Sequence, residues 1–211
     1  MVQHFVEGNK LVIFCVDSAG DWPIRGGIRA MSMRTAILTE ASQNSNDSAL
    51  ARRLFQTRKL SLTLAAPLSD EDQVVQAMDD ASPTKWHLAH TNWFFEAFLL
   101  KPFLAGYRVF DERFEYCFNS YYETVGARHP RASRGLLTRP SAQEVRDYRA
   151  HVDEALSRLC DTDLPEAAAE LIELGINHEQ QHQELLLTDI LALFAAEPLK
   201  LLPNISVFGV N

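Results

Sequence analysis

The sequence predicts an all-α domain, an antiparallel helical bundle, and three observations carry that expectation. Apolar residues recur at three- and four-residue spacing along several stretches. Helix start signals precede those stretches, and no convincing strand pattern follows residue 40. At 211 residues the chain is most simply one domain with extensions, large enough to bury a real core.

The first 44 residues read as an irregular N-terminal extension. Its apolar run Leu11–Val16 is too short for a signal-peptide core or a membrane span, and Asp17 and Asp21 interrupt it. Met31 and Met33 lie just ahead of a stretch that resembles an ordinary protein start. Residues 40–48 are polar and read as a loop or flexible lead-in. A helix is expected from about Ala49 to Leu64 with Leu50, Leu54 and Phe55 inward. Ser69 with Asp72 then gives a modest capping-box signal.

Ser82-Pro83 is a strong helix start, with serine as N-cap and proline in the first helical position, and the helix should stop before Pro102. At about 100° per residue, Trp86, Trp93, Phe94 and Ala97 fall within roughly 60° of His90. His90 therefore sits mid-stripe, with His87 near the edge. Residues 106–140 contain Gly106, Gly126, Pro130, Gly135 and Pro140 and no long helical pattern, while the aromatic cluster from Tyr116 to Tyr122 argues for a long ordered loop.

Ser141 with Glu144 is a clear capping box, opening a helix whose inner face is Val145, Tyr148, Val152, Leu156 and Leu159. The last helix should run from near Pro165 to about Ala196. Its expected core stripe is Leu171, Leu174, Gly175, His178, His182, Leu185 and Asp189. The bundle thus occupies residues 45–200, and residues 201–211 read as a truncated linker.

Composition narrows the function classes. A net charge of -8 argues against a nucleic-acid or anionic-membrane partner, which need positive surface. Cys15, Cys117 and Cys160 form no CxxC pair and fit a reduced cytoplasmic setting.

The chemistry concentrates in His178-Glu179-Gln180-Gln181-His182. Imidazoles four residues apart lie one turn apart on a helix face, which is how a helix offers two nitrogens to one metal ion. Three imidazoles buried without partners on two apolar stripes would cost roughly 1–3 kcal/mol each. One ion satisfies all three, so His90, His178 and His182 are the candidate ligands. His4, His87, His129 and His151 are assigned to surface or loops. The HExxH letters also fit a zinc peptidase with Glu179 as general base, but no further ligand histidine follows His182. Glu184 falls about 120° off the ligand stripe and is not read as a ligand. A three-histidine set suits zinc as well as iron.

Five blocks extend the pattern: Ser82 to Glu96 (SPTKWHLAHTNWFFE), Phe118 to Glu123 (FNSYYE), Arg128 to Arg131 (RHPR), Arg134 to Pro140 (RGLLTRP) and His178 to Ile190 (HEQQHQELLLTDI). Together they resemble the N-terminal domain of the ergothioneine-biosynthesis sulfoxide synthases, in consistent order over roughly residues 45–200. The resemblance implies a DinB-like antiparallel four-helix bundle holding a non-haem Fe(II) on three histidines. It implies O2-driven joining of a thiol, from cysteine or γ-glutamylcysteine, to the imidazole ring of hercynine, with sulfoxide formation. His90, His178 and His182 match the ligands. Tyr121 and Tyr122 match aromatic residues of the substrate site, and Gln181 matches a residue near the bound imidazole. Arg128, Arg131 and Arg134 are candidate carboxylate clamps, because guanidinium reads a carboxylate through two parallel hydrogen bonds.

The resembled enzymes continue into a domain related to formylglycine-generating enzymes, which supplies the catalytic tyrosine and much of the pocket. The expectation is an incomplete iron-binding half that needs such a domain as a separate partner. Two alternatives stand beside it: a free-standing DinB-like metal-dependent thiol transferase using zinc or nickel, and a non-catalytic helical interaction module.

Overall fold

A computed structural model describes the backbone of residues 2–7, 10–15, 33–120 and 127–199, and side chains over 48–120 and 127–199. The chain divides into two units, Met1–Leu38 and Thr39–Asn211. In the first, β1 (Val2–Glu7) and β2 (Lys10–Cys15) pair antiparallel in a register that sets Val2 opposite Cys15 and Glu7 opposite Lys10. The extension, read from sequence as irregular, thus carries a hairpin. Gly8-Asn9 between the strands is the kind of pair a two-residue hairpin loop favours.

The second unit is helical. Its long elements are α1 (Met33–Ala65, which begins ahead of the unit boundary), α2 (Thr84–Phe95), α5 (Ala142–Cys160) and α6 (Glu166–Ala196). Between them lie the single turn α3 (Lys101–Phe103) and the short α4 (Phe114–Phe118). Among the described residues no helix is long and apolar enough to cross a membrane.

Helix α1 runs straight through residues 40–48, where a loop was expected. Those residues are polar, but Met33–Ala65 contains neither glycine nor proline. Serine, asparagine and aspartate cost only up to about 0.7 kcal/mol each in a helix, too little to break one by themselves. Its inward face is Leu54, Thr57, Arg58, Ser61 and Ala65. The spacing is helical, yet three of the five residues are polar. Leu50 and Phe55 are only half-buried.

Side-chain pairings fix the helix directions. Residues 82, 87 and 90 meet 189, 182 and 178 in that order, so α2 and α6 are antiparallel. Arg58 meets Asp153 while Asp70, beyond the end of α1, meets Arg146, so α1 and α5 are antiparallel. Arg53 meets Glu173 and Leu68 packs with Leu186 and Ile190, so α1 and α6 run the same way. It follows that α2 and α5 also run the same way. A connection between two co-directional helices must cross the length of the bundle, which is why the segment from 104 to 140 is long.

That connection is ordered where it is described, with α4, a 3-10 turn over Arg131–Leu136 and an anchor at its end. Lys85, almost wholly buried, donates Nζ to the carbonyls of Leu137 (2.5 Å) and Pro140 (2.9 Å). The expected capping box of α5 is present, with Ser141 and Glu144 each bonding the other's backbone N–H. The same reciprocal pair between Ser69 and Asp72 opens only a 3-10 turn, Asp72–Val74.

Four local expectations shift. Pro83 rather than Ser82 takes the N-cap place of α2. The helix does not stop before Pro102. A π-helical turn, Glu96–Leu100, follows α2, and the helical path continues through Lys101–Phe103 with Pro102 in the first turn, where a missing N–H is tolerated. All twelve residues of α2 are buried, so it is the central helix rather than one with an apolar stripe. The buried face of α6 is Ala168, Ile172, Gly175, Ile176, Glu179, Gln183, Leu186 and Ile190. It is rotated by about one residue from the expected stripe, and Leu185 is exposed.

The charged groups on that face explain the rotation. Glu179 accepts from Ser61 Oγ (2.6 Å), from Arg58 Nη1 (3.2 Å) and, in a very short contact, from Arg149 Nη2. Arg58 also donates to Asn92 Oδ1 (2.6 Å) and closely to Asp153. Gln183 donates to the Thr57 carbonyl (2.8 Å) and Ser61 Oγ (2.9 Å). Buried charge is tolerated because it is paired and hydrogen-bonded across all four long helices.

Candidate metal centre

Gly175 lets α2 and α6 approach. A Cβ there would sit 2.3 Å and 2.5 Å from Phe95 ring carbons and 3.2 Å from Phe94. This close approach brings His90 of α2 against His178 and His182 of α6. Each of the three offers one nitrogen, all within 4.8 Å of one another. His90 is buried and the α6 pair is half-buried.

The spacing suits a shared ion. Nitrogen ligands at about 2.1 Å from a metal lie about 3.0 Å apart at a right angle and about 3.4 Å apart at the tetrahedral angle. The Nε2 atoms of His90 and His178 are 3.1 Å apart. His90 Nδ1 faces the Phe118 carbonyl at 2.6 Å; a carbonyl only accepts, so Nδ1 carries the proton and Nε2 presents its lone pair to the cluster. Trp86 stacks on the His90 ring (centroids 4.6 Å apart, planes 11° from parallel), and Trp93 flanks it. Phe94 lies against His178 with centroids 4.7 Å apart.

Burial pulls the His90 imidazole well below its ordinary value, and the neighbouring His178, Arg134 and His87 add to it against the Phe118 carbonyl. Burial likewise pulls His182 well below the usual range, reinforced by His90, His178, His87 and Arg134. Neutral imidazole is the form that binds a metal.

His87 departs from its expected surface position. It is buried, with Nδ1 2.9 Å from His182 Nδ1 and Nε2 3.0 Å from Asp189 Oδ2. Asp189 also accepts from the Ser82 backbone N–H (2.8 Å). The signal was present in the sequence: His87 lies three residues before His90, on the adjoining part of the same helix face. Burial lowers His87 as well, opposed by the Asp189 carboxylate. His151 and His129 lie in or beside the connection, bonding the carbonyls of Arg108 and Ser133.

A profile for the DinB superfamily matches residues 53–186, which include all three histidines. The chain belongs to the DinB superfamily. Domains of this superfamily are often metal-binding, and the histidine triad of this DinB domain could hold an ion. No curated protein matches the chain.

Other residues named from sequence fall at varied distances from the triad. In the DinB domain Arg134 acts by its charge on His90 and His182 of the triad. Its guanidinium lies 3.3 Å over the Trp86 ring, on the tryptophan that stacks with His90, and Nη1 donates to Ser82 Oγ (2.8 Å). Arg128 and Arg131 are exposed and hold loop carbonyls, those of Ser120 and Asp80. Gln181 is exposed on α6, one residue before His182. Tyr121 and Tyr122 lie outside the described residues.

Glu179 closes the peptidase reading on a second ground. A general base needs a lone pair at the metal-bound water, whereas both Glu179 oxygens accept from buried Arg58, Arg149 and Ser61.

Proposed function

We propose that this DinB domain holds non-haem Fe(II) on His90, His178 and His182 as part of an ergothioneine-biosynthesis sulfoxide synthase. The reaction joins a cysteine-type thiol to hercynine. An S–H and a ring C–H bond break, a C–S and an S–O bond form, and O2 accepts four electrons, leaving as the sulfoxide oxygen and water. The observation that carries the reading is the convergence of three histidines, drawn from blocks that resemble that family, within 4.8 Å.

Fe(II) held by His90, His178 and His182 would supply O2 activation and a seat for the thiolate, since three neutral imidazoles leave its +2 charge uncompensated. The chain's residues do the rest. Trp86 and Trp93 fix the His90 plane, and the Phe118 carbonyl fixes its tautomer. Arg134, whose charge is felt at His87, His90 and His182, is suited to a substrate carboxylate. Arg128, Arg131 and Gln181 are further proposed substrate contacts, with Tyr121 and Tyr122 as proposed catalytic aromatics. A formylglycine-generating-enzyme-like domain is the proposed partner that completes the pocket, in a cytoplasmic setting, with no nucleic acid or membrane involved.

Metal analysis of anaerobically purified protein should find iron near one per chain. Zinc instead would move the reading to a thiol transferase. Sulfoxide formation from hercynine and cysteine with Fe(II) and O2 is expected when the second domain is supplied. No product with or without it, after the two domains are shown to associate, ends the reading.

A further inference from the structure

Resting on the reading of His90, His178 and His182 as metal ligands, we infer that Asp189 and His87 are positioning residues that set the tautomer of His182. The geometry runs in one direction. A carboxylate only accepts, so the 3.0 Å contact to Asp189 puts the His87 proton on Nε2. In the neutral ring His87 Nδ1 is then an acceptor. The 2.9 Å contact between the two Nδ1 atoms therefore takes its proton from His182. His182 is left with its lone pair on Nε2, the nitrogen then free to bind an ion.

Asp189 is itself held. The Ser82 backbone N–H donates to the same oxygen at 2.8 Å, ahead of the first turn of α2. Arg134 donates to the Ser82 hydroxyl at 2.8 Å, which ties this corner to the Trp86 stack over His90. The arrangement is a carboxylate–histidine–histidine chain, one ring longer than the carboxylate–histidine pairs that commonly support metal ligands. Its three members come from late α6 (Asp189), from α2 (His87) and from the ligand turn of α6 (His182), so the fold assembles it together with the triad.

Three proteins bound to Co(II), used as a visible probe of the metal site, test the inference against His178→Ala as the control. The parent should bind Co(II), and His178→Ala should lose it; failure of either sinks the triad reading and the inference with it. Given that control, His87→Phe should weaken Co(II) binding by about 10–100-fold. His87→Asn, whose amide oxygen reproduces the acceptor at the Nδ1 place, should recover most of it. Unchanged affinity in His87→Phe overturns the inference while the triad reading stands, and so does an equal loss in His87→Asn. Should His87→Phe not fold, long-range 1H–15N spectra of the metal-free parent decide. A proton on His182 Nδ1 and on His87 Nε2 is expected; a proton on His182 Nε2 overturns the assignment.

Discussion

Gly175→Ala tests the packing that creates the centre. In an unconstrained helix interior, alanine is favoured over glycine by about 0.8–1.0 kcal/mol. Here the new methyl would lie 2.3 Å from a Phe95 ring carbon, where carbon atoms rest at about 3.5–4.0 Å. The ring has to retreat by about 1.2 Å to reach that separation. It has nowhere to go, because Phe95 is fully buried and the Arg58 guanidinium lies 5.1 Å from its ring centre. Overpacking of this kind costs about 1–3 kcal/mol, and an overlap this deep belongs at the upper end. The clash therefore outweighs the propensity gain, for a net loss of about 1–2 kcal/mol.

For a domain of this size that corresponds to a fall in Tm of roughly 2–8 °C. Thermal and urea unfolding measure it. Phe94, 3.2 Å from the same methyl, packs on His178, so metal affinity should fall alongside stability. Adding Phe95→Leu should recover part of the loss, because the two changes share one contact. An unchanged or higher Tm in Gly175→Ala would refute the close approach of α2 and α6.

Glu179→Gln leaves Arg58 and Arg149 buried without their shared counter-charge and should cost about 3–5 kcal/mol in urea unfolding; a loss below about 1 kcal/mol would show that those charges reach water. Burial, with the Glu96 carboxylate beside them, holds the Tyr148 hydroxyl well above its ordinary value and raises that of Tyr107. A raised folded value means stability that is complete below the unfolded value of about 10 and lost as pH rises through the folded one. Thermal scans from about pH 9 to about pH 11 should show that loss, and Tyr148→Phe should flatten it. Lys85→Met strands the Leu137 and Pro140 carbonyls, and limited proteolysis should then cut the 104–140 connection faster than in the parent.

The helices were legible wherever pattern and start signals agreed. The Ser141–Glu144 box and the run of α6 to Ala196 stand as read, because capping is a local hydrogen-bond problem solved by residues three apart. The polar lead-in at 40–48 misread as a loop because polarity reports exposure, whereas only glycine or proline reports a break. The α6 stripe misread for a related reason. Glu179 and Gln183 count as outward in any hydrophobic pattern, and only the presence of Arg58, Arg149, Thr57 and Ser61 on other helices makes their burial tolerable.

The same division runs through the site. By itself the sequence determined which residues could be ligands, since four-residue spacing on a helix puts His178 and His182 on one face whatever surrounds them, and His90 stands out on a second helix. Tertiary structure alone decided that a turn of α2 meets that face across Gly175, that Glu179 turns to the arginines, and that His87 lies beneath His182 rather than at the surface. Helix periodicity is a property of the chain. Which side of each helix meets which neighbour depends on packing and charge pairing between segments far apart in sequence, and no local pattern contains that.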